Sequence, residues 1–179
     1  MTTPTHRPAK SAKKASPASG DMATPRAGAR AASLFLDNQL CFALYATSLA
    51  MTKVYRPLLA PLGLTYPQYI VMLALWEHRE LTAGKLGGQV GLDSGTLVPL
   101  IRKLTAQGLV LRQRSATDDR SVLISLTPAG ARMSEWAHAV HDQVACTTQR
   151  TPAERQAMVQ SLKNLRVALL QDATAKPAT

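Results

Sequence analysis

From Ser33 onward, apolar side chains recur every three or four residues, the spacing that lines one face of an α-helix. Leu36, Leu40, Ala43 and Leu44 form the first such stripe. Ser33 can cap this helix, and Pro57 interrupts it after about Arg56, because proline has no amide hydrogen for the helical ladder. Gly63 then marks a turn. A second helix fits residues 65–78, with Thr65 as cap and Pro67 in the first turn, where a missing amide costs nothing.

Two short helices separated by a turn come next. Residues 82–91 start at a Thr82 cap, and residues 93–108 start at Asp93 or Ser94 and stop at Gly108. Leu97, Leu100, Ile101 and Leu104 give the second of these helices an apolar stripe. Its opposite face carries Ser94, Thr96, Arg102 and Lys103. The period then changes to that of strands. In residues 109–127, two β-prone runs flank the polar tip at 115–120, which predicts a hairpin with a longer loop. Two further helices are expected at about Pro128–Arg150 and Pro152–Asp172, capped by Thr127 and Thr151. Residues Ala173–Thr179 are expected to fray.

Residues 1–32 break from this pattern. They are rich in Ala, Pro, Ser, Thr, Gly and Lys, and beyond Met1 their one sizeable apolar side chain is Met22. Such a segment cannot bury enough surface to offset its ordering entropy, so a disordered tail is expected there. The expected organisation is therefore a basic tail over 1–32, one folded domain over 33–172 and a frayed end over 173–179.

Composition supports a packed domain, since 46% of the 179 residues are hydrophobic. Only 4% are aromatic, so aliphatic side chains must supply most of the core. No run approaches the roughly 18 apolar residues of a membrane span. The polar N-terminus lacks the apolar segment of a signal peptide, which makes the cytoplasm the expected location and gives no membrane partner. Two cysteines do not make a secreted disulfide scaffold, and in a reducing compartment both start as thiols.

The formal net charge of +10 points to a polyanionic partner. Six cations against Asp21 place half of that excess in residues 1–32, where weak attraction to DNA phosphates and a solvated tail without a role are both open readings. The other half lies in the body. Two short helices followed by a two-stranded hairpin form a winged helix–turn–helix. Its second helix fits a major groove, with N-terminal polar side chains at the base edges, and its hairpin tip can carry a cation into the minor groove. Lys85, Arg102, Lys103, Arg112, Arg114 and Arg120 suit phosphates. The same order of elements also occurs in protein-binding winged domains, and a bundle with a solvated charged loop is the structural alternative.

The run DSGTLVPLIRKLTAQGLVLRQRSATDDRSVLISLTPAG resembles the recognition helix, wing and following helix start of the MarR family of bacterial repressors. The pair Asp118 and Arg120, followed by a strand and the L-T-x-x-G of Leu126–Gly130, carries the likeness, which extends over roughly residues 34–170. The resemblance implies a mainly α fold in which long N- and C-terminal helices of two chains intertwine as an obligate homodimer. It places Arg120 in the minor groove with Asp118 orienting it, and Ser94, Thr96 and Lys103 towards the major groove, with Arg114 on the wing. Two-fold symmetry then implies double-stranded operator DNA with an inverted repeat, its half-sites one turn or about 34–36 Å apart.

Cys41 lies among Leu40, Phe42, Ala43 and Leu44. Read from these neighbours alone, it is an inert packing residue, because free cysteine is among the most buried residue types. A reactive thiol needs accessibility and groups that favour the thiolate. Asp37, one turn earlier, does not help, whereas a tyrosine phenol can donate a hydrogen bond to sulfur. All four tyrosines, Tyr45, Tyr55, Tyr66 and Tyr69, follow Cys41 closely. The strings LDNQLCFALY and YRPLLAPLGLTYPQYIVMLALWE are similar to the organic hydroperoxide-sensing, OhrR-type branch of the MarR family.

That resemblance makes Cys41 the redox-sensing thiol. Tyr55 and Tyr66 become its hydrogen-bond donors across the dimer interface, and Tyr45 a further residue of the thiol pocket. Cys146 falls where two-cysteine members carry a resolving cysteine. The implied chemistry is oxidation of Cys41 by an organic hydroperoxide to a sulfenic acid, then condensation with Cys146 of the partner subunit to a disulfide that releases DNA. The apolar side chains near Cys41 suit alkyl or lipid hydroperoxides. No cofactor and no metal site are expected, since His6, His78, His138 and His141 have no ligand spacing with the cysteines. Two rivals remain open: a MarR-type repressor relieved by a small aromatic ligand without thiol chemistry, and a thiol peroxidase. The enzyme usually needs a cation beside its cysteine, and residues 34–50 contain none.

Overall fold

The computed structural model describes residues 33–114 and 121–175, and the expected N-terminal tail lies outside them. The chain divides into two compact units, one ending at Ala46 and one beginning at Thr47.

The described part of the first unit is a 3-10 turn, Leu36–Asn38, followed by the first turns of α1 (Leu40–Leu59). The helix expected from Ser33 thus starts later. Gln39 adopts extended backbone and its side-chain amide donates to the Ser33 carbonyl, so the chain reaches Leu40 through a turn. No residue of 33–46 is buried.

In the second unit, α1 passes through Pro57 to Leu59, where an earlier stop was expected. Pro57 stands two residues from the helix end, so the lost amide affects a single bond near a terminus, and the fully buried Leu59 anchors the last turn. The chain continues through a 3-10 turn, Ala60–Leu62, to Gly63 in left-handed backbone. Helix α2 (Tyr66–His78) begins as expected, and Gln68 Oε1 accepts hydrogen bonds from the Thr65 amide at 2.8 Å and the Thr65 hydroxyl at 2.9 Å.

Arg79, at φ 65°, turns the chain into β1 (Glu80–Thr82), a three-residue strand that the pattern did not predict. Helices α3 (Ala83–Val90) and α4 (Ser94–Ala106) follow, then β2 (Val110–Arg114) and β3 (Val122–Leu126). The sheet is antiparallel in the order β1-β3-β2, with Leu81 opposite Ile124 and Arg112 opposite Ile124 on the other side. β1 was missed because three residues are too few to show alternation. Its pairing comes from β3, which lies more than forty residues away along the chain.

One long helix was expected over Pro128–Arg150. The structure has α5 (Pro128–Arg132), a break at Met133, and α6 (Ser134–Thr147). At the break the Ser134 hydroxyl donates to the Ala131 carbonyl at 2.8 Å, and the Trp136 amide reaches back only three residues, to Met133. Both bonds divert carbonyls from the regular ladder. Gln149, at φ 52°, ends the following turn. Helix α7 (Pro152–Ala175) is capped by Thr151 and Glu154 in a reciprocal box, and it continues past the expected fray point at Ala173. Residues 176–179 lie outside the described part.

The core of the second unit gathers on α2, whose Tyr69, Val71, Met72 and Leu75 are almost wholly enclosed. Leu86 of α3, Leu104 of α4 and Ile124 of β3 close around them. The result is a mainly α winged helix–turn–helix. By contrast, α7 leaves Met158, Val159, Leu162, Val167, Leu169 and Leu170 exposed on a single chain.

Candidate nucleic-acid interface and thiol residues

Helix α4 is held at its start by Asp93, whose carboxylate accepts from the Thr96 amide at 2.8 Å and the Thr96 hydroxyl at 3.3 Å. These bonds keep the Asp93 carboxyl below its ordinary range, since they favour the charged form. The turn before it needs glycine: Gly91 has φ 71°, and a Cβ there would meet the Arg166 guanidinium at 2.8 Å. Leu97, Ile101 and Leu104 are buried and Leu100 is half-buried, so the apolar stripe faces the core as expected. Ser94, Thr96, Arg102 and Lys103 are all exposed on the outward side. Beyond the Asp93 cap, the first turn of the helix is therefore polar at its surface through Ser94 and Thr96, and cations follow further along. That distribution suits base edges first and phosphates after.

Arg112 and Arg114 are exposed on β2, with Arg114 opposite Val122 at the far end of the hairpin. Asp118 and Arg120, expected at the tip, lie outside the described residues. The base of the hairpin is tightly built. Gly130 packs so closely beneath Leu109 that a Cβ would lie 2.0 Å from the Leu109 carbonyl oxygen. The Thr127 hydroxyl donates to the Gly108 carbonyl at 2.7 Å, and Trp76 Nε1 donates to the Gly130 carbonyl at 2.8 Å.

Cys41 and Tyr45 stand one turn apart on α1, in the first unit, and both are exposed. The packing reading drawn from the apolar neighbours of Cys41 finds no burial within a single chain, but those neighbours are not buried either. In the second unit, Tyr55 and Tyr66 come together with ring centroids 4.6 Å apart. Tyr69 joins them at 5.5 Å from Tyr55, and Trp76 continues the series at 6.0 Å from Tyr69. Tyr69 was not assigned to the site, although its spacing from Tyr66 along α2 would have shown it. Burial pushes the Tyr55 phenol up to about 12, with the neighbouring Tyr69 and Tyr66 adding to the effect. Burial raises Tyr66 and Tyr69 as well. These phenols therefore keep their protons at neutral pH and remain hydrogen-bond donors. Cys146 is exposed near the end of α6.

Among the described residues, no three His, Cys, Asp or Glu side chains gather in a way that could hold a metal ion. No single helix among them is long and apolar enough to cross a membrane.

Residues 53–135 match the family model described as transcriptional regulator SarA/Rot. An organic hydroperoxide resistance transcriptional regulator of Bacillus subtilis is 58% identical over 102 residues, which cover 57% of this chain and 69% of that protein. Among solved structures, AbfR of Staphylococcus epidermidis aligns with TM-score 0.66 and 32% identity, over 79% of this chain and 98% of that one. The structure of reduced AbfR bound to DNA aligns with TM-score 0.63 and 31% identity, over 82% and 99%. Disulfide-formed AbfR aligns with TM-score 0.55 and 33% identity, over 78% and 98%.

Proposed function

The chain belongs to the MarR/SarA family of DNA-binding transcriptional regulators, in its organic hydroperoxide (OhrR-type) branch, and on that premise we propose that it is a repressor switched by oxidation of Cys41. As a homodimer it binds an inverted repeat, each α4 presenting Ser94, Thr96 and Lys103 to a major groove. Arg114, Asp118 and Arg120 serve the wing, with Arg120 in the minor groove. The exposed apolar side chains of α7 support dimerisation, because a second copy would cover them.

The observation that carries the redox reading is the exposure of Cys41, since a peroxide-reactive thiol must be accessible. The Cys41 thiolate attacks the terminal oxygen of an organic hydroperoxide; the O–O bond breaks, an alcohol leaves, and Cys41 becomes a sulfenic acid. Across the dimer interface, protonated Tyr55 and Tyr66 donate hydrogen bonds at the reacting sulfur, and Tyr45 completes the pocket. The Cys146 thiol of the partner subunit then displaces water from the sulfenic acid and forms an intersubunit disulfide. Closing that bond requires Cα atoms within about 4.4–6.8 Å of each other. Helices that start further apart must move, carrying the recognition helices out of register with the operator. The DNA-bound reduced form and the disulfide form of AbfR are consistent with such a cycle.

The test is operator release by an alkyl hydroperoxide. Wild type should release and form a dimer-sized band without reductant. Cys41→Ser should stay bound, and unchanged release by that variant would overturn the mechanism in favour of a ligand-relieved repressor. Catalytic turnover of peroxide with a thiol reductant, well beyond stoichiometric oxidation, would instead favour a thiol peroxidase.

A further inference from the structure

Cys146 opens onto a cavity of about 380 Å³ whose other lining residues are Asp142, Ala145, Gln149, Arg150 and Arg155. Asp142 precedes Cys146 by one turn of α6 and shares its face. The positive φ of Gln149 then folds the chain back, bringing Arg150 and the first turn of α7 to the same place. Arg155 donates through Nη1 to the Arg150 carbonyl, which ties the two arginines together. Glu154 Oε1 is 3.7 Å from Arg150 Nη1, while its Oε2 accepts from the Thr151 amide at 2.8 Å and the Thr151 hydroxyl at 2.9 Å. A nucleophilic sulfur, two guanidinium groups and one carboxylate thus line one open cavity. Charges of both signs around a thiol match a ligand that carries carboxylate, ammonium and sulfur together.

We propose that Cys146, Asp142, Arg150 and Arg155 form a docking site for a zwitterionic, cysteine-derived low-molecular-weight thiol, and that the switch is reset there. Arg150 and Arg155 hold the carboxylate of the thiol, Asp142 holds its ammonium, and its sulfur meets Cys146. Its thiolate attacks Cys146 Sγ in the Cys41–Cys146 disulfide; a mixed disulfide forms on Cys146 and Cys41 leaves as a thiolate. A second molecule of the same thiol attacks the mixed disulfide, leaving Cys146 as a thiolate and a symmetric small disulfide as product. Two thiols are oxidised for each protein disulfide reduced. This role in resetting rests on the disulfide reading above, whereas the docking site does not.

The site is tested in the Cys41→Ser full-length protein, where peroxide sensing cannot operate. The reduced protein is treated with glutathione disulfide or with uncharged bis(2-hydroxyethyl) disulfide, and adduct formation on Cys146 is followed by intact mass. Each rate is normalised to that of free cysteine with the same reagent. The expected result is a preference of about three- to fivefold for glutathione disulfide, the size of one exposed ion pair. In Arg150→Gln/Arg155→Gln that preference should vanish while the rate with the uncharged reagent stays the same. Equal normalised rates in the unsubstituted site would overturn the proposal, as would a double substitution that slows both reagents alike. Failure of wild type to form a disulfide with peroxide would instead sink the sensing mechanism and leave the adduct kinetics to judge the site.

Discussion

The rings of Tyr55 and Tyr66 lie 4.6 Å apart between centroids and 30° from parallel, although the two residues belong to different helices. Two phenols held side by side, both biased by burial towards their neutral form, remain hydrogen-bond donors, as the proposed role at the Cys41 sulfur requires. Replacing either with phenylalanine keeps the ring contact and removes the donor. Tyr55→Phe and Tyr66→Phe should each slow oxidation of Cys41 by about tenfold or more, the weight of a hydrogen bond to a charged group. Operator affinity before oxidation should be unchanged. Stopped-flow sulfenic-acid trapping beside a DNA-binding assay checks both parts, and an unaltered oxidation rate would remove the tyrosines from the chemistry.

Alkaline pH gives an independent view of the same cluster. The Tyr55 proton is held more tightly in the folded protein than in the unfolded chain, with its pKa raised from 10.0 to about 12. The stability this contributes is fully present below pH 10 and is lost as pH rises towards 12. Tyr55→Phe should flatten that alkaline loss. Ultraviolet titration of tyrosinate, run with thermal unfolding across the same pH range, should show the late-titrating tyrosine disappear together with the slope.

Much of this architecture was readable from spacing alone. The stripe of Leu97, Ile101 and Leu104 marked the inward face of α4, and Thr65, Thr82, Asp93, Thr127 and Thr151 all stand at helix starts. These features are local, so periodicity and capping chemistry suffice to find them. The misreadings share a different cause. β1 exists through β3, and the break at Met133 depends on a single hydroxyl competing for a carbonyl. Pro57 stays helical because Leu59 is buried against the rest of the unit. In each case a partner distant in sequence, or one side-chain hydrogen bond, outweighs local propensity.

The site was legible to a different depth. The outward sequence of Ser94, Thr96 and Lys103 follows from helical phase, and α4 holds all three exposed. The exposure of Cys41 did not follow, because its apolar neighbours indicate burial, whereas no residue of 33–46 is buried in the single chain. Tyr69 and the arginines around Cys146 join their clusters through the packing of one helix beside another or through a chain reversal. Residue type alone carries no signal of either.

The base of the wing makes a stability prediction. A methyl group at Gly130 would collide with the Leu109 backbone, which cannot swing aside as a side chain can. Gly130→Ala should cost about 1–3 kcal/mol, as overpacking of a tight site does, and should loosen the hairpin relative to α4. Denaturant unfolding gives the first quantity. A fall in operator affinity larger than that in stability would show the second, and a neutral substitution would contradict the close approach.

Asp93 couples acid titration to the recognition helix. Its carboxylate is held below the ordinary range by the Thr96 amide and hydroxyl, so it contributes stability above the usual carboxylate pKa. That contribution is lost as pH falls through the depressed value. Asp93→Ala should lower the melting temperature at neutral pH and make no difference once the pH lies below the depressed value. A melting-temperature gap that persists unchanged into acid would assign the effect to something other than the charged cap.

Salt dependence separates the contacts that position the protein from those that read sequence. Each phosphate neutralised contributes about 0.9 to the slope of log affinity against log salt on B-DNA. Lys103→Ala and Arg114→Ala should each lower that slope by about one if the side chain contacts phosphate, weakening all sequences alike. Arg120→Ala should instead weaken the operator by about 1–3 kcal/mol while leaving the dimer intact, because a minor-groove contact depends on groove width and sequence. Deletion of residues 1–32, which carry six cations and one carboxylate, should chiefly reduce the slope if they meet phosphates. A titration of operator and scrambled DNA over a range of salt distinguishes these outcomes. A tail deletion that leaves the slope unchanged on both DNAs would assign DNA binding to α4 and the wing alone.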